Sequence, residues 1–261
     1  MTTTDTPARL RSTFVHDTLV VFRRAMRLSL RNPVWTVMGL AQPVLYLALF
    51  GPLLEPLKAQ LGVGNAYQFF VPGLLVQLGM FGAMFVGFGL IAEWRDGVIE
   101  SERVTPAPRS ALVLGRVLRD VVVIAVQGTV LCVVGYAFGL RAPFVGIVLG
   151  VLTAAMLGAA FASASYAVAL TVKSEDALAP LLNGIALPLL LLSGILLPIV
   201  SPAWLKDLSD LNPLKHVVDG IRAEFLGELS TATSLWGYGL TIALVVVGVW
   251  FGTRTFRREN G

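Results

Sequence analysis

The densest group of reactive side chains in this chain is the stretch AEWRDGVIESERVTPAPRSALVLGR, residues 92–116, where Glu93, Arg95, Asp96, Glu100, Glu102, Arg103 and Arg109 fall within 17 positions. Its first half has helix-forming character. Thr105-Pro106 then stops that helix, and Pro108 prevents an immediate restart. A short polar helix held rigidly between two apolar segments suits contact with a soluble partner, because a rigid element transmits displacement that a floppy loop absorbs. The alternative is a solvated loop kept on one side of a membrane by its positive charge.

No hydrolytic apparatus accompanies this stretch. There is no Gly-Lys dipeptide, so a phosphate-binding loop of the G-x-x-x-x-G-K-[ST] type is absent, and any ATP must be hydrolysed by another chain. His16 and His216 fall on opposite sides of the topology set out below. The single cysteine, Cys132, lies inside an apolar window, so neither a metal cluster nor a catalytic set is expected. The net charge of +4 implies nothing about nucleic acid, since the basic residues are spread over separate loops.

The elements around the stretch are set by the spacing of the charges. No Lys, Arg, Asp or Glu falls in 32–54, 59–92, 121–140, 142–172, 177–205 or 229–253. Each window exceeds the roughly 18–20 apolar residues needed to cross a hydrocarbon core. With 56% apolar residues and a mean hydropathy of +0.77, little is left for an extramembrane domain. The expected fold is all-α: a polytopic membrane protein with spans near 34–54, 67–92, 120–140, 143–172, 177–200 and 235–253. A transmembrane barrel would alternate in hydrophobicity over about ten residues, which these windows do not. The polar N-terminus does not read as a cleavable signal peptide.

Six spans put both termini on one side. That side collects 15 Lys and Arg against 5 on the other, which predicts cytoplasmic termini. Residues 1–12 read as a disordered tail and 13–32 as an amphipathic interfacial helix. In that helix Val15, Leu19, Phe22, Met26 and Leu30 share one stripe, and Arg24, Arg27 and Arg31 lie opposite, near lipid phosphates; a soluble helix packed on other loops is the alternative. Pro33 ends or kinks it. The six-span domain then runs over 33–253, with a cytoplasmic loop at 93–119 and a re-entrant extracellular segment at 201–234, and 254–261 forms a cytoplasmic tail. Gly146, Gly150, Ala154, Gly158 and Ala162 recur every four residues, a stripe that admits a close neighbour helix, read as packing within the chain ahead of a dimer seam.

The span centres contain only neutral polar groups, Gln42, Gln77, Gln127, Ser163, Ser165, Asn183 and Ser193, and no Asp, Glu, Lys or Arg that would bind a coupling ion. That argues for an external energy source.

Four stretches together resemble the permease subunit of ABC-2 type exporters, in particular the daunorubicin/doxorubicin-resistance permease group: Arg31-Asn32-Pro33 with Gln42-Pro43 behind it; EWRDGVIESERVTPAPRS at 93–110; LSGILLP at 192–198; and NPLKHVVDGIR at 212–222. The resemblance implies a dimer of six-span subunits with two separate ATPase chains that bind the ATP and Mg, while this chain holds no cofactor. It implies ATPase coupling through Glu93, Arg95, Gly97, Glu100, Glu102, Thr105, Pro106 and Arg109. It places a low-polarity substrate path near Gln42, Gln77, Asn183 and Ser193, and an outward lid around Trp204 with Asp219 and Arg222 as its charged pair. The implied substrate is an amphipathic drug, lipid or glycan precursor, and the implied location is a bacterial cytoplasmic membrane. The partner permease is an identical or a different chain. A stand-alone secondary carrier or channel and a non-transporting scaffold are the competing readings.

Overall fold

Among the described residues every regular element is a helix. The computed structural model describes residues 14–57, 59, 64–103, 105, 107–195, 199 and 201–259. The expected N-terminal tail 1–12 and the coupling residue Pro106 lie outside the described residues. The elements are α1 (Phe14–Arg31), α2 (Val34–Leu54) with a 3-10 turn at Glu55–Leu57, α3 (Ala66–Met84), α4 (Gly87–Arg95), α5 (Val98–Arg103), α6 (Arg109–Ala137), α7 (Phe144–Val172), α8 (Glu175–Leu191), α9 (Ala203–Asp210), α10 (Pro213–Phe225) and α11 (Ala232–Glu259).

Helix α7 is the centre of the bundle, packed by α3, α4, α6, α10 and α11. Its small residues permit this. A Cβ at Gly79 of α3 would stand 2.5 Å from Ala154 O, one at Gly158 of α7 would stand 2.3 Å from Ile124 Cδ1 of α6, and one at Gly248 of α11 would stand 2.5 Å from Ala160 O. Backbones this close gain dispersion contacts that larger side chains would prevent. The four-residue stripe is thus spent on neighbours within the chain.

Among the described residues five helical segments are long and apolar enough to cross a membrane: Thr36–Leu54, Ala66–Arg95, Arg109–Ala137, Phe144–Val172 and Ala232–Phe256. Their outward faces carry Met38, Leu45, Leu49 and Leu53 on α2, Val126, Val130 and Val133 on α6, and Ile242, Val246 and Val247 on α11, all exposed. Such faces need hydrocarbon around them. The protein is a multi-pass, all-helical membrane protein. The fifth window does not yield a helix of matching length. In place of a span over 177–200, α8 has 17 residues and ends before a turn in which Gly194 has φ +67°.

The 67–92 window is also broken. Phe85 and Val86 form a turn between α3 and α4, and a side chain from α7 serves the backbone groups it frees. Ser165 Oγ donates to Met84 O at 2.6 Å and accepts from Gly87 N at 3.0 Å. The third window's helix begins at Arg109, eleven residues before the expected span start at 120, so the charged residues before that point are helical.

Candidate functional site

The charge-dense stretch folds into a corner of two short helices braced from three sides. Gly97 makes the corner. Its φ of +73° lies in the left-handed region, which an L side chain adopts only with strain, and its N–H donates to Trp94 O at 3.1 Å. Asp96 donates back to Ala92 O at 3.0 Å, closing α4. After α5, Thr105 Oγ1 donates to Glu102 O at 2.7 Å and ends the helix, as Thr105-Pro106 suggested.

Two acids of the corner, Glu93 and Glu102, point inward to one arginine. Arg116 on α6 is 5% exposed, and its Nη2 lies 2.6 Å from Glu93 Oε2 of α4 and 3.0 Å from both carboxylate oxygens of Glu102 on α5. Glu102 is 8% exposed and also accepts from Arg24 Nη1 of α1 at 3.1 Å. Charge-assisted bonds of this kind hold geometry well when every charge has a partner. Arg95 reaches the other way and pairs with Glu175 of α8 at 3.1 Å. The corner is therefore tied to α1, α6 and α8. Close packing reinforces the α1 tie, since a Cβ at Gly115 would stand 2.8 Å from Thr18 O.

Of the remaining residues expected to couple, Glu100 and Thr105 are exposed, and Arg109 lines a cleft of about 160 Å³ with Ile99, Glu102, Thr105, Ala107, Leu112 and Phe256. Helix α1 packs on α6 and leaves Val15, Leu19 and Leu30 exposed, along with Arg27 and Arg31.

Sequence reasoning missed the hub. Arg116 and Arg119 fall in the expected loop 93–119 and Asp120 at the first position of the expected span, whereas all three lie on α6, where their i, i+3, i+4 spacing puts them on one helical face. Asp120 is buried, accepts from Tyr166 of α7 at 2.5 Å and lies 2.9 Å from Arg119 Nε. The neutral polar residues proposed for a path separate into two groups. Gln77 and Ser193 are buried, and Gln77 Oε1 has no hydrogen-bond partner among the described residues. Gln42 and Asn183 are exposed, the first donating to Tyr46 at 3.1 Å and the second to Ala179 O of its own helix at 3.0 Å. Gln127 ties α6 to Thr36 O of α2 and is structural.

At the opposite end of the bundle, the NPLKH motif builds α10. Asn212 caps it, accepting from Leu214 N at 3.0 Å, with Pro213 at the first helical position. The Asn212 amide donates to Leu189 O of α8 at 2.8 Å. The expected Asp219–Arg222 pair is present at 3.2 Å. Arg222 also donates to Phe69 O at 3.2 Å and Gly194 O at 2.8 Å, with its guanidinium carbon 3.6 Å from the centre of the Phe69 ring. Burial lowers the Arg222 pKa to about 10, partly offset by Asp219. Trp204 on α9 is exposed.

The family model described as "ABC-2 type transporter" matches residues 16–226, which include α1, the braced corner, α9 and α10. The chain is a member of the ABC-2 type transporter family. Over 260 residues this ABC-2 chain is 27% identical to the daunorubicin resistance ABC transporter permease protein DrrB1 of Streptomyces coeruleorubidus, covering 96% of this chain and 89% of that protein. It is 27% identical over 214 residues to the putative transport permease ycf38 of Cyanophora paradoxa, covering 80% and 74%. It is 24% identical over 195 residues to the probable multidrug ABC transporter permease YbhR of Escherichia coli K12, covering 70% and 53%. The ABC-2 assignment makes the chain a transport permease embedded in a membrane.

Proposed function

We propose that this chain is the membrane subunit of an ATP-driven exporter for an amphipathic or lipid-like substrate such as a drug, lipid or glycan precursor. Two copies of a separate ATPase chain bind the ATP and Mg, and a second permease copy, most simply an identical one, completes the path. In this reading α8 is the fifth of six spans, α9 and α10 are the re-entrant outward lid, and both termini lie in the cytoplasm of a bacterium.

The observation that carries this reading is the braced corner at Gly97. Its exposed side, with Asp96, Gly97, Glu100 and Thr105, is open to a partner, while Glu93 and Glu102 fasten it to Arg116 and Arg24. A push on the exposed side is passed to α1 and α6 and is not lost in loop motion. The cleft beside Arg109 offers the partner a socket. Gln42 and Asn183 are exposed, as residues lining a path between two copies need to be.

Co-expression with candidate ATPases should yield a complex with vanadate-sensitive ATPase activity that responds to substrate, and Glu100→Arg or Arg109→Glu should uncouple it. Unchanged coupling in both variants removes the loop assignment. Ion-driven transport by the chain alone in proteoliposomes would replace this reading with that of a secondary carrier. The charges on α6 do not favour that alternative, because Arg116, Arg119 and Asp120 are each already engaged within the chain.

A further inference from the structure

Glu224 stands in the last turn of α10 and is 1% exposed. Neither its Oε2 nor the buried Tyr238 hydroxyl that faces it from α11 completes a well-aligned hydrogen bond among the described residues, although the two groups are near enough for the phenol to favour the carboxylate. An unpaired anion in such a place costs far more than the neutral acid, so the carboxyl is held as a group that takes a proton. The space for it is built into α7. A Cβ at Gly146 would stand 2.1 Å from Glu224 O, and one at Gly150 would stand 3.5 Å from Glu224 Oε2. Two glycines thus bring α10 down onto α7 with an acid over the notch.

Among the described residues the surroundings offer no compensating cation. Helix α7 has one titratable side chain, Tyr166, which is engaged by Asp120 and Arg119 on α6. Helix α3 contributes Tyr67, whose ring packs beside Gly51 of α2. On α10 itself, Arg222 is turned to Phe69 O, Gly194 O and Asp219, Lys215 pairs with Asp210 of α9, and His216 Nε2 lies 2.9 Å from Asp210 O. Lys206 and Asp207 of α9 are exposed, as are Arg141 and Glu228 in the flanking loops. From α11 the titratable neighbour is Tyr238. Burial pushes the Glu224 carboxyl up to about 7, with the Tyr238 phenol offsetting part of that rise.

We propose that Glu224 and Tyr238 form a proton-binding site between α10, α7 and α11, occupied while α10 is seated on the Gly146–Gly150 notch and emptied when α10 lifts. On lifting, the O–H bond at Glu224 breaks, the proton passes to water, and the carboxylate left behind is hydrated. Seating α10 reverses this. Separation of α10 from α7 is therefore linked to the release of one proton, and alkaline conditions favour it. The inference rests on the fold and not on the identity of any exported substrate.

The test is infrared difference spectroscopy of the full chain, labelled with isotopic glutamate, in phosphatidylcholine vesicles made proton-permeable with an ionophore. The label separates the signal from Asp120. A protonated glutamic-acid carbonyl band should disappear with a midpoint near 7, be absent in Glu224→Gln, and titrate at higher pH in Tyr238→Phe, where the phenol no longer favours the anion. A wild-type chain with no glutamic-acid component titrating near neutrality, or a component that survives Glu224→Gln, overturns the proposal. If Glu224→Gln fails to fold, Tyr238→Phe decides, and an unmoved midpoint there is equally fatal.

Discussion

Replacing Arg116 by methionine tests whether the corner is held by charge. The guanidinium contacts Glu93 at 2.6 Å and both oxygens of Glu102 at 3.0 Å, and its Nη1 donates to Leu112 O at 3.3 Å. Methionine fills similar volume and removes these bonds together with the one from Nε to Glu93 Oε2 at 3.2 Å, five in all. The Glu93 side chain is 35% exposed and can be rehydrated, so it contributes little to the loss. Glu102 cannot, since its side chain is 9% exposed, and its one remaining partner, Arg24, is 52% exposed and screened by water. Stranding one buried carboxylate costs about 3–5 kcal/mol, and the residual Arg24 contact puts the expectation at the low end, about 3 kcal/mol. At about 2–4 °C per kcal/mol for a chain of this size, Arg116→Met should unfold roughly 6–12 °C below wild type. The assay is thermal unfolding of detergent-solubilised protein at one fixed scan rate, because unfolding of such a chain is governed by rate as well as equilibrium. Arg116→Met/Glu102→Met removes both charges and should recover most of the loss. A single variant within about 2 °C of wild type, or a double variant worse than the single, would refute the reasoning.

Three further outcomes are expected. Gly97→Ala places a Cβ in open space at φ +73°, so its effect is backbone strain alone, about 1 kcal/mol, read as faster proteolysis of the 93–109 corner with the bundle intact. Asn212→Ala loses the cap to Leu214 N and the bond to Leu189 O, costing about 1–2 kcal/mol and loosening α10 in hydrogen exchange, whereas Asn212→Asp keeps the cap. Glu224 has a pKa near 7 in the folded chain against an ordinary 4.5, so the folded state binds more protons between those values. Its contribution is complete below about 4.5 and is lost as pH rises through about 7, roughly 3 kcal/mol in all, and Glu224→Gln should flatten that slope in unfolding measurements.

The membrane class, the helix at 14–31 that stops before Pro33, the Asp219–Arg222 pair and the α5 stop at Thr105 were all legible in the sequence, because each depends on local chemistry. Windows without charge were a poorer guide to helix length. The 177–205 window contains α8 and a glycine turn, and the 59–92 window contains two helices separated at Phe85 and Val86. The same rule hid the hub: a window bounded by the first charge leaves Arg116 and Arg119 in a loop and Asp120 at its edge, although all three lie on α6. A helix can continue through charges when partners such as Glu93, Glu102 and Tyr166 arrive from elsewhere in the chain, and long-range pairing of that kind leaves no periodicity to read.

The turn between α3 and α4 gains a mechanical meaning from Ser165. Its hydroxyl satisfies both Met84 O and Gly87 N, so the two helices can meet at an angle without exposing bare backbone to lipid. In the proposed coupling role the bearing for α4 is the central helix and not the surrounding bilayer. A torque applied at Glu93 and Trp94 would then work against α7 as its fulcrum, and the lever it drives would be referenced to the protein's own axis.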